Sequence, residues 1–318
     1  MLALAMLVSC SLPSVVCATD NQNIVVTLLG TGDPIPSPER FGPSILVQAG
    51  GLNLMFDAGR GSTIRLRQIG LWPGQIDAVF ITHFHSDHLN GLNDLLTLGY
   101  IGRPGLRRTR PLEIHAPVGM KRIADAVRSS IDDDVRIRSA DEKISPLGAD
   151  MAVHEFTGDG PVFERNGVKV TAFAVDHGEF IKPAFGYRVD YKGMSAVFSG
   201  DTRFDQNLIA HAAGVDLLVH ETAAAPAALA NLEGVKAVLA HHTTPERAGE
   251  VFARTKPRLA AFSHITLIED VANPAVGEAE IERRTRQEWS GPLVVGEDLM
   301  RITIEGSIVS VERLMRDR

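Results

Sequence analysis

The chain has 318 residues, a hydrophobic share of 44% and a formal net charge of −7. That length and apolar content suit one large domain or two modest ones with a real core. The acidic balance argues against bulk nucleic-acid binding through a basic surface. Residues 1–18 carry no charged side chain, and their apolar stretch at 2–8 is too short to span a bilayer. With small residues at Val16-Cys17-Ala18, the segment reads as a secretory leader cleaved after Ala18. A second reading takes Leu7-Val8-Ser9-Cys10 as a lipobox that leaves Cys10 acylated. Either way the expected location is periplasmic or secreted. Both cysteines, Cys10 and Cys17, lie in this segment. A processed chain therefore has no thiol for a disulfide, a metal or a nucleophilic mechanism.

In chain order, residues 24–29 read as a strand ending at Gly30-Thr31-Gly32-Asp33. Pro34, Pro36 and Pro38 then stiffen a loop that cannot be helix. Residues 44–48 and 52–57 read as a hairpin around Gly50-Gly51, and 62–69 as a helix stopped by Gly70 and Pro73. Residues 77–81 read as a short buried strand. A helix at 89–98, a strand at 112–115 and a helix at 118–129 follow. Acidic Asp132-Asp133-Asp134 and residues 139–141 read as solvated connection. Strands are expected at 151–156, 168–175, 184–191 and 195–198. Apolar runs at 215–219, 237–239 and 259–262 read as strands, 244–255 and 278–288 as helices, and 300–304 as a final strand. No repeat or linker interrupts residues 19–318, so one compact domain is expected, with two packed sheets and helices outside.

Directly after the strand at 77–81 stands Thr82-His83-Phe84-His85-Ser86-Asp87-His88. A strand running into a loop aims alternate side chains at one point, so His83 and His85 suit one ion. Asp87 and His88 lie one turn further and suit a second. Imidazole and carboxylate at this spacing fit Zn²⁺ or another first-row divalent ion. Further acids and imidazoles recur in the same context, just past an apolar strand and beside a small residue. They are Asp57, His177, Asp201, His220 with Glu221, His242 and His264. One of them alone would be a cap or a surface group; their repetition along one edge points to a shared site.

These pieces together resemble the metallo-β-lactamase fold superfamily, and within it the ribonuclease Z and phosphodiesterase branch. The resemblance rests on Leu29-Gly30-Thr31-Gly32, Phe56-Asp57-Ala58-Gly59, the histidine cluster, His177 and Ser199-Gly200-Asp201-Thr202. It continues through His220-Glu221-Thr222-Ala223, His242-Thr243-Thr244 and Phe262-Ser263-His264. The fold it implies is α/β, a four-layer αββα sandwich. It implies that His83, His85 and His177 hold one metal ion, that Asp87, His88 and His264 hold another, and that Asp201 bridges them. Asp57 would orient a ligand imidazole. Asp87, Glu221 and His242 are the catalytic residues expected, the last two as the pair that assists proton transfer at the leaving group. The cofactors implied are two divalent ions that acidify a bridging water. The nitrogen and oxygen donors favour Zn²⁺, with Mn²⁺ or Fe compatible.

Two departures shape the expected activity. β-Lactamases of this fold usually carry a cysteine in the second metal site, where Asp201 stands here, which argues against penicillin hydrolysis. Ribonuclease Z enzymes of bacteria are expected to carry a long Gly-rich arm before the Gly-Asp-Thr element. Here a tight turn at Lys192-Gly193 takes its place. With the export signal, this leads to an exported hydrolase of a phosphodiester or related small ester. Its expected partner is a small anionic ester, with no extended nucleic-acid surface and no transmembrane span; a homodimer is compatible with the sequence. Arylsulfatase or lactonase activity on the same site is the alternative, and a ribonuclease Z-type endoribonuclease or a non-hydrolytic iron redox protein a more distant one. Arg103, Arg107, Arg108 and Arg110 read as a solvated loop, with guidance of an anionic substrate as the second reading. His115, His154, His211 and His241 read as structural or surface residues, and Trp72 and Trp289 as packing residues.

Overall fold

The computed structural model describes residues 22–314. The expected leader, with Cys10 and Cys17, lies outside the described residues. The first half builds β1 (Ile24–Gly30), β2 (Ser44–Ala49), β3 (Leu52–Phe56), α1 (Ser62–Gln68), β4 (Ala78–Phe80), α2 (Leu92–Ile101), β5 (Leu112–Pro117), α3 (Met120–Ser130), α4 (Asp132–Asp141) and β6 (Met151–Phe156). The second half builds β7 (Gly160–Arg165), β8 (Val168–Ala174), β9 (Phe185–Tyr191), β10 (Met194–Phe198), α5 (Gln206–His211), β11 (Leu217–Ala224) and α6 (Glu233–His241). It continues with α7 (Pro245–Thr255), β12 (Leu259–Leu267), α8 (Glu278–Thr285), β13 (Leu293–Val295), β14 (Met300–Glu305) and β15 (Ile308–Arg313). The chain forms an eight-stranded sheet in the order β15-β14-β1-β2-β3-β4-β5-β6 and a seven-stranded sheet in the order β13-β12-β11-β10-β9-β8-β7.

The layers follow from which side chain of each strand faces which way. Leu28, Val47, Phe56 and Phe80 meet Ala172, Phe198, Val219 and Ala261 in a core between the sheets. Their chain neighbours Leu29, Leu46, Met55 and Val79 face outward and are covered by Leu66 of α1, Leu95 and Leu96 of α2, and Ala124 of α3. On the far side, Phe173, Val197, Leu218 and Ala260 pack under Leu208 of α5, Val251 and Phe252 of α7, and Ile281 of α8. Strands buried on both faces read as near-continuous apolar runs, which is how they stand in the sequence. Each fully buried Leu, Val or Phe contributes about 1.5–3 kcal/mol relative to exposure. The result is the expected αββα sandwich. No helix among the described residues is long and apolar enough to cross a membrane.

Local differences have physical causes. Residues 237–239 are helical, within α6, although the run of Val and Leu reads as strand. The helical period lies in Val235, Val238 and Leu239, the half-buried side of α6, and is invisible in three residues taken alone. The acidic run at 132–134 opens α4 instead of forming a loop. Carboxylates in a first turn complement the helix dipole, and ion pairs one turn apart join Arg138 to Asp134 and to Glu142 at 3.0 and 2.6 Å. The helix expected from 89 begins at Leu92, after a single 3-10 turn at Ser86–His88. Strands β7, β13 and β15 and helix α5 escaped the reading. β9 and β10 meet as expected through a two-residue turn: Tyr191 pairs with Met194, and Lys192 and Gly193 hold φ of 49° and 77°.

Candidate metal centre

The candidate donors gather because the strands that carry them run the same way. β3, β4 and β5 are parallel, as are β10, β11 and β12. β8 shares the direction of β10, since both are antiparallel to β9. Asp57, His83, His177 and Asp201 therefore stand just beyond strand ends that share one edge. Glu221 and His264 project from the last part of β11 and β12. Ligand sites of α/β sheets form at this carboxyl edge.

Asp57 organises the first loop. It adopts a φ of 58°, a left-handed conformation rare for a residue with a side chain. Its carboxylate accepts hydrogen bonds from the Thr82 amide at 2.9 Å, the Thr82 hydroxyl at 2.9 Å and His88 Nδ1–H at 2.7 Å. The Thr82 hydroxyl in turn accepts from His83 Nδ1–H at 3.0 Å. Both imidazoles thus keep Nε2 free of a hydrogen-bond partner and buried. His177 is fixed in the same manner, its Nδ1–H donating to the main-chain carbonyl of His241 at 2.8 Å. Gly200, with φ of 60°, passes so close to the Phe185 carbonyl that a Cβ there would lie 2.5 Å from it. Only glycine lets the chain turn into Asp201 at that point.

Two donor groups stand side by side, His83, His85, His177 and Asp201, and Asp87, His88 and His264, and a third set, Asp201, His242 and His264, overlaps both. Asp201 Oδ2 stands between them. It lies 3.8 Å from His83 Nε2, 3.6 Å from His177 Nε2, 3.4 Å from His88 Nε2 and 3.1 Å from His264 Nε2. His264 Nε2 also lies 3.2 Å from Asp87 Oδ2. Burial is the leading influence on the imidazoles of the first group and holds His83, His85 and His177 below the usual value, His177 at about 4. In the second group burial is outweighed. Asp201 and Asp57 hold His88 well above the usual value, and Asp201 and Asp87 raise His264 to about 9. Imidazole nitrogens and carboxylate oxygens, buried and converging on one place, suit divalent metal ions.

Beside both groups lies His242, whose ring centroid is 5.0 Å from that of His177 and 5.7 Å from that of His264. Its Nδ1–H donates to Glu221 Oε2 at 3.2 Å. Glu221 is itself held by the amides of Thr243 at 2.8 Å and Thr202 at 3.3 Å. Burial works to lower the His242 value, but the Glu221 charge and hydrogen bond outweigh it and raise it. A bulge brings Glu221 and His264 to this place. Across β11 and β12, His220 pairs with Phe262 and Thr222 with Ile265, so Glu221 alone opposes Ser263 and His264. Before the bulge, Ala260 and Phe262 face the helices; after it, Ile265 does. His264, at φ of 45°, turns into the site at the irregular position.

All the residues named as donors or as the proton-transfer pair are thus within one cluster. His220 is not a donor: it is buried, gives Nδ1–H to the Glu221 carbonyl at 2.7 Å and packs on Phe252. His241 was missed, since its carbonyl anchors His177 and its ring lies 5.3 Å from it. Its place next to His242 was the available signal. His115 stacks between Phe80 and His154, and His211 on Phe173, as structural residues. The arginine run does not guide anything to this site. It precedes β5 and so lies at the opposite edge of the sheet. Arg108 is buried, bonded to the Gly148 and Leu96 carbonyls, and Arg110 pairs with Asp77 at 3.1 Å.

A family profile described as "Beta-lactamase superfamily domain" matches residues 53–265. The chain is 33% identical over 286 residues to the Ribonuclease Z of Mycobacterium marinum, covering 88% of this chain and 99% of that relative. Among solved structures, the metallo-beta-lactamase fold protein YhfI of Bacillus subtilis is similar with a TM-score of 0.68 at 16% identity, over 88% of this chain and 99% of that one. The short form of human tRNase Z has a TM-score of 0.64 at 23% identity, over 87% and 98%. These findings overturn the expectation of a hydrolase acting on a small anionic ester, with no extended nucleic-acid surface. The arylsulfatase and lactonase readings fall with it. The expectation leaned on a missing arm, but a relative named Ribonuclease Z matches this chain over nearly its full length. An arm bears on how RNA is held, not on which bond the centre attacks. The chain belongs to the metallo-β-lactamase fold superfamily, in its ribonuclease Z and phosphodiesterase-like branch, and is a metal-dependent hydrolase.

Proposed function

We propose that this chain is an endoribonuclease of the ribonuclease Z kind, cutting a phosphodiester bond of RNA. His83, His85 and His177 would hold one divalent ion, Asp87, His88 and His264 a second, and Asp201 both. One observation carries the reading: Asp201 Oδ2 lies within 3.1–3.8 Å of four imidazole nitrogens drawn from two donor groups. The nitrogen and oxygen donors favour Zn²⁺, and Mn²⁺ or Fe also fit them. Such ions lower the pKa of water and neutralise charge on phosphoryl oxygens.

The chain's own residues supply the rest. Asp57 orients His88 directly and His83 through Thr82, so each turns Nε2 inward. His242, held protonated by Glu221, stands beside both donor groups and delivers a proton to the departing oxygen. The Thr202 and Thr243 amides keep Glu221 aimed at His242.

The test is cleavage of a 3′-extended transfer RNA precursor by the metal-loaded protein. A single endonucleolytic cut is expected, slowed by His242→Ala about 10²–10⁴-fold, the range of a lost general acid, with bound metal unchanged. A protein that binds both ions and cuts no RNA would overturn the reading.

A further inference from the structure

The segment between β8 and β9, residues 175–184, leaves the cluster at His177 and returns to it. Its ends are joined by the Val175 amide and the Ala184 carbonyl at 3.0 Å, and the next residue, Phe185, donates to the Thr82 carbonyl at 3.0 Å. Asp176 ties its base to Arg203 through an ion pair of 3.0 Å, and accepts the Gly178 amide at 3.0 Å. Gly178, at φ of 117°, lies against His241: a Cβ there would be 3.3 Å from the His241 Cβ. The loop is thus fixed at both ends to the site it borders.

Phe180 stands in this loop. Of the chain's 13 phenylalanines, all within the described residues, it alone is exposed, at 91%. Three Cα steps of 3.8 Å keep its Cα within about 11 Å of that of His177. Of its loop neighbours, Glu179 and Lys182 are exposed and charged, while Ile181 and Pro183 are half-buried, so Phe180 is the one fully exposed apolar side chain of this loop. A nucleobase needs only one ring face, with a cation for the adjoining phosphate. Lys182 places such a cation on the same loop.

We infer that Phe180 is a stacking platform for a nucleobase beside the phosphate held at the centre. The inference rests on the reading of the site as one that cuts RNA. It adds a subsite that takes an unpaired base without reading its identity, since every base offers a π-face.

The experiment compares steady-state kinetics of metal-loaded wild type, Phe180→Ala and Phe180→Tyr on the RNA precursor. A second substrate set carries an abasic residue at each position flanking the cut in turn. Phe180→Ala should raise KM about tenfold, within the range of one lost base stack, with kcat nearly kept. Phe180→Tyr should restore wild-type KM. With the base removed at the stacked position, wild type and Phe180→Ala should converge. An unchanged KM, an equal rise on every abasic substrate, or a change in oligomeric state with Phe180→Ala overturns the inference. RNA cutting by the wild type in the same assay separates that failure from failure of the underlying reading, which would show as no cutting at all.

Discussion

The two donor groups share the Asp201 carboxylate yet hold their imidazoles in opposite charge states. His83, His85 and His177 are kept below the usual value, chiefly by burial, and His177 is neutral above about pH 4. His88 and His264 are buried too, but Asp57 lies 2.7 Å from His88, and Asp87 and Asp201 lie 3.2 and 3.1 Å from His264, and these outweigh burial. The difference lies in how closely carboxylates approach: 2.7–3.2 Å in the second group, 3.6–3.8 Å from Asp201 to His177 and His83 in the first. One group offers bare lone pairs to a cation as it stands. The other holds protons in the places a cation would take, so that binding there exchanges one positive charge for another.

The largest expected effect erases the comparison. Asp201→Ala removes the oxygen common to both groups, and should lower RNA cleavage by about 10³-fold or more, the scale of losing several kcal/mol of electrostatic stabilisation. Metal analysis should show the protein retaining at most one ion. Retention of two ions and full activity would show that the carboxylate is not shared.

Asp57→Asn should separate the groups. The Asn cannot accept from His88 Nδ1–H with a full charge, so affinity of the second group should fall about 10–100-fold, the usual cost of losing such a partner. The first group should lose less, because the Thr82 hydroxyl still accepts from His83. Competitive chelation with metal counted at each step would measure both affinities, and an equal fall would break the distinction.

The smallest effect sharpens it without mutation. A ligand nitrogen must give up its proton to take an ion. His264, raised to about 9, is protonated at neutral pH, so ion binding to its group should strengthen as pH rises towards 9 and weaken as pH falls. His177, lowered to about 4, has no proton to release above that value, so its group should keep its ion down to about pH 4. Metal content followed from pH 9 to below pH 4 should therefore drop in two steps. Simultaneous loss would count against unequal groups.

The sequence revealed the donors well, because each follows a buried strand and carries its local motif with it. His83, Asp201 and His264 are far apart in the chain, but the shared direction of β4, β10 and β12 makes their meeting a matter of sheet topology. What it concealed lay where local signals are weak. Residues 237–239 are too short a run to show the period that Val235, Val238 and Leu239 carry, and Pro161 and a register shift masked β7. His241 was passed over because its contribution is a main-chain carbonyl, which any residue type supplies. The substrate class was misread because net charge and a missing arm describe the surface of the molecule. The bond attacked depends on the centre.

The irregular pairing at Ser263 and His264 has a consequence for how this chain can vary. β12 is two stretches of alternating side chains, out of phase by one residue, with the imidazole at the boundary between them. An exchange at position 263 alters chemistry and leaves the phase intact. A deletion there would restore strict alternation, and His264 would follow Ala261 towards the core between the sheets. This strand can change its letters more freely than its count.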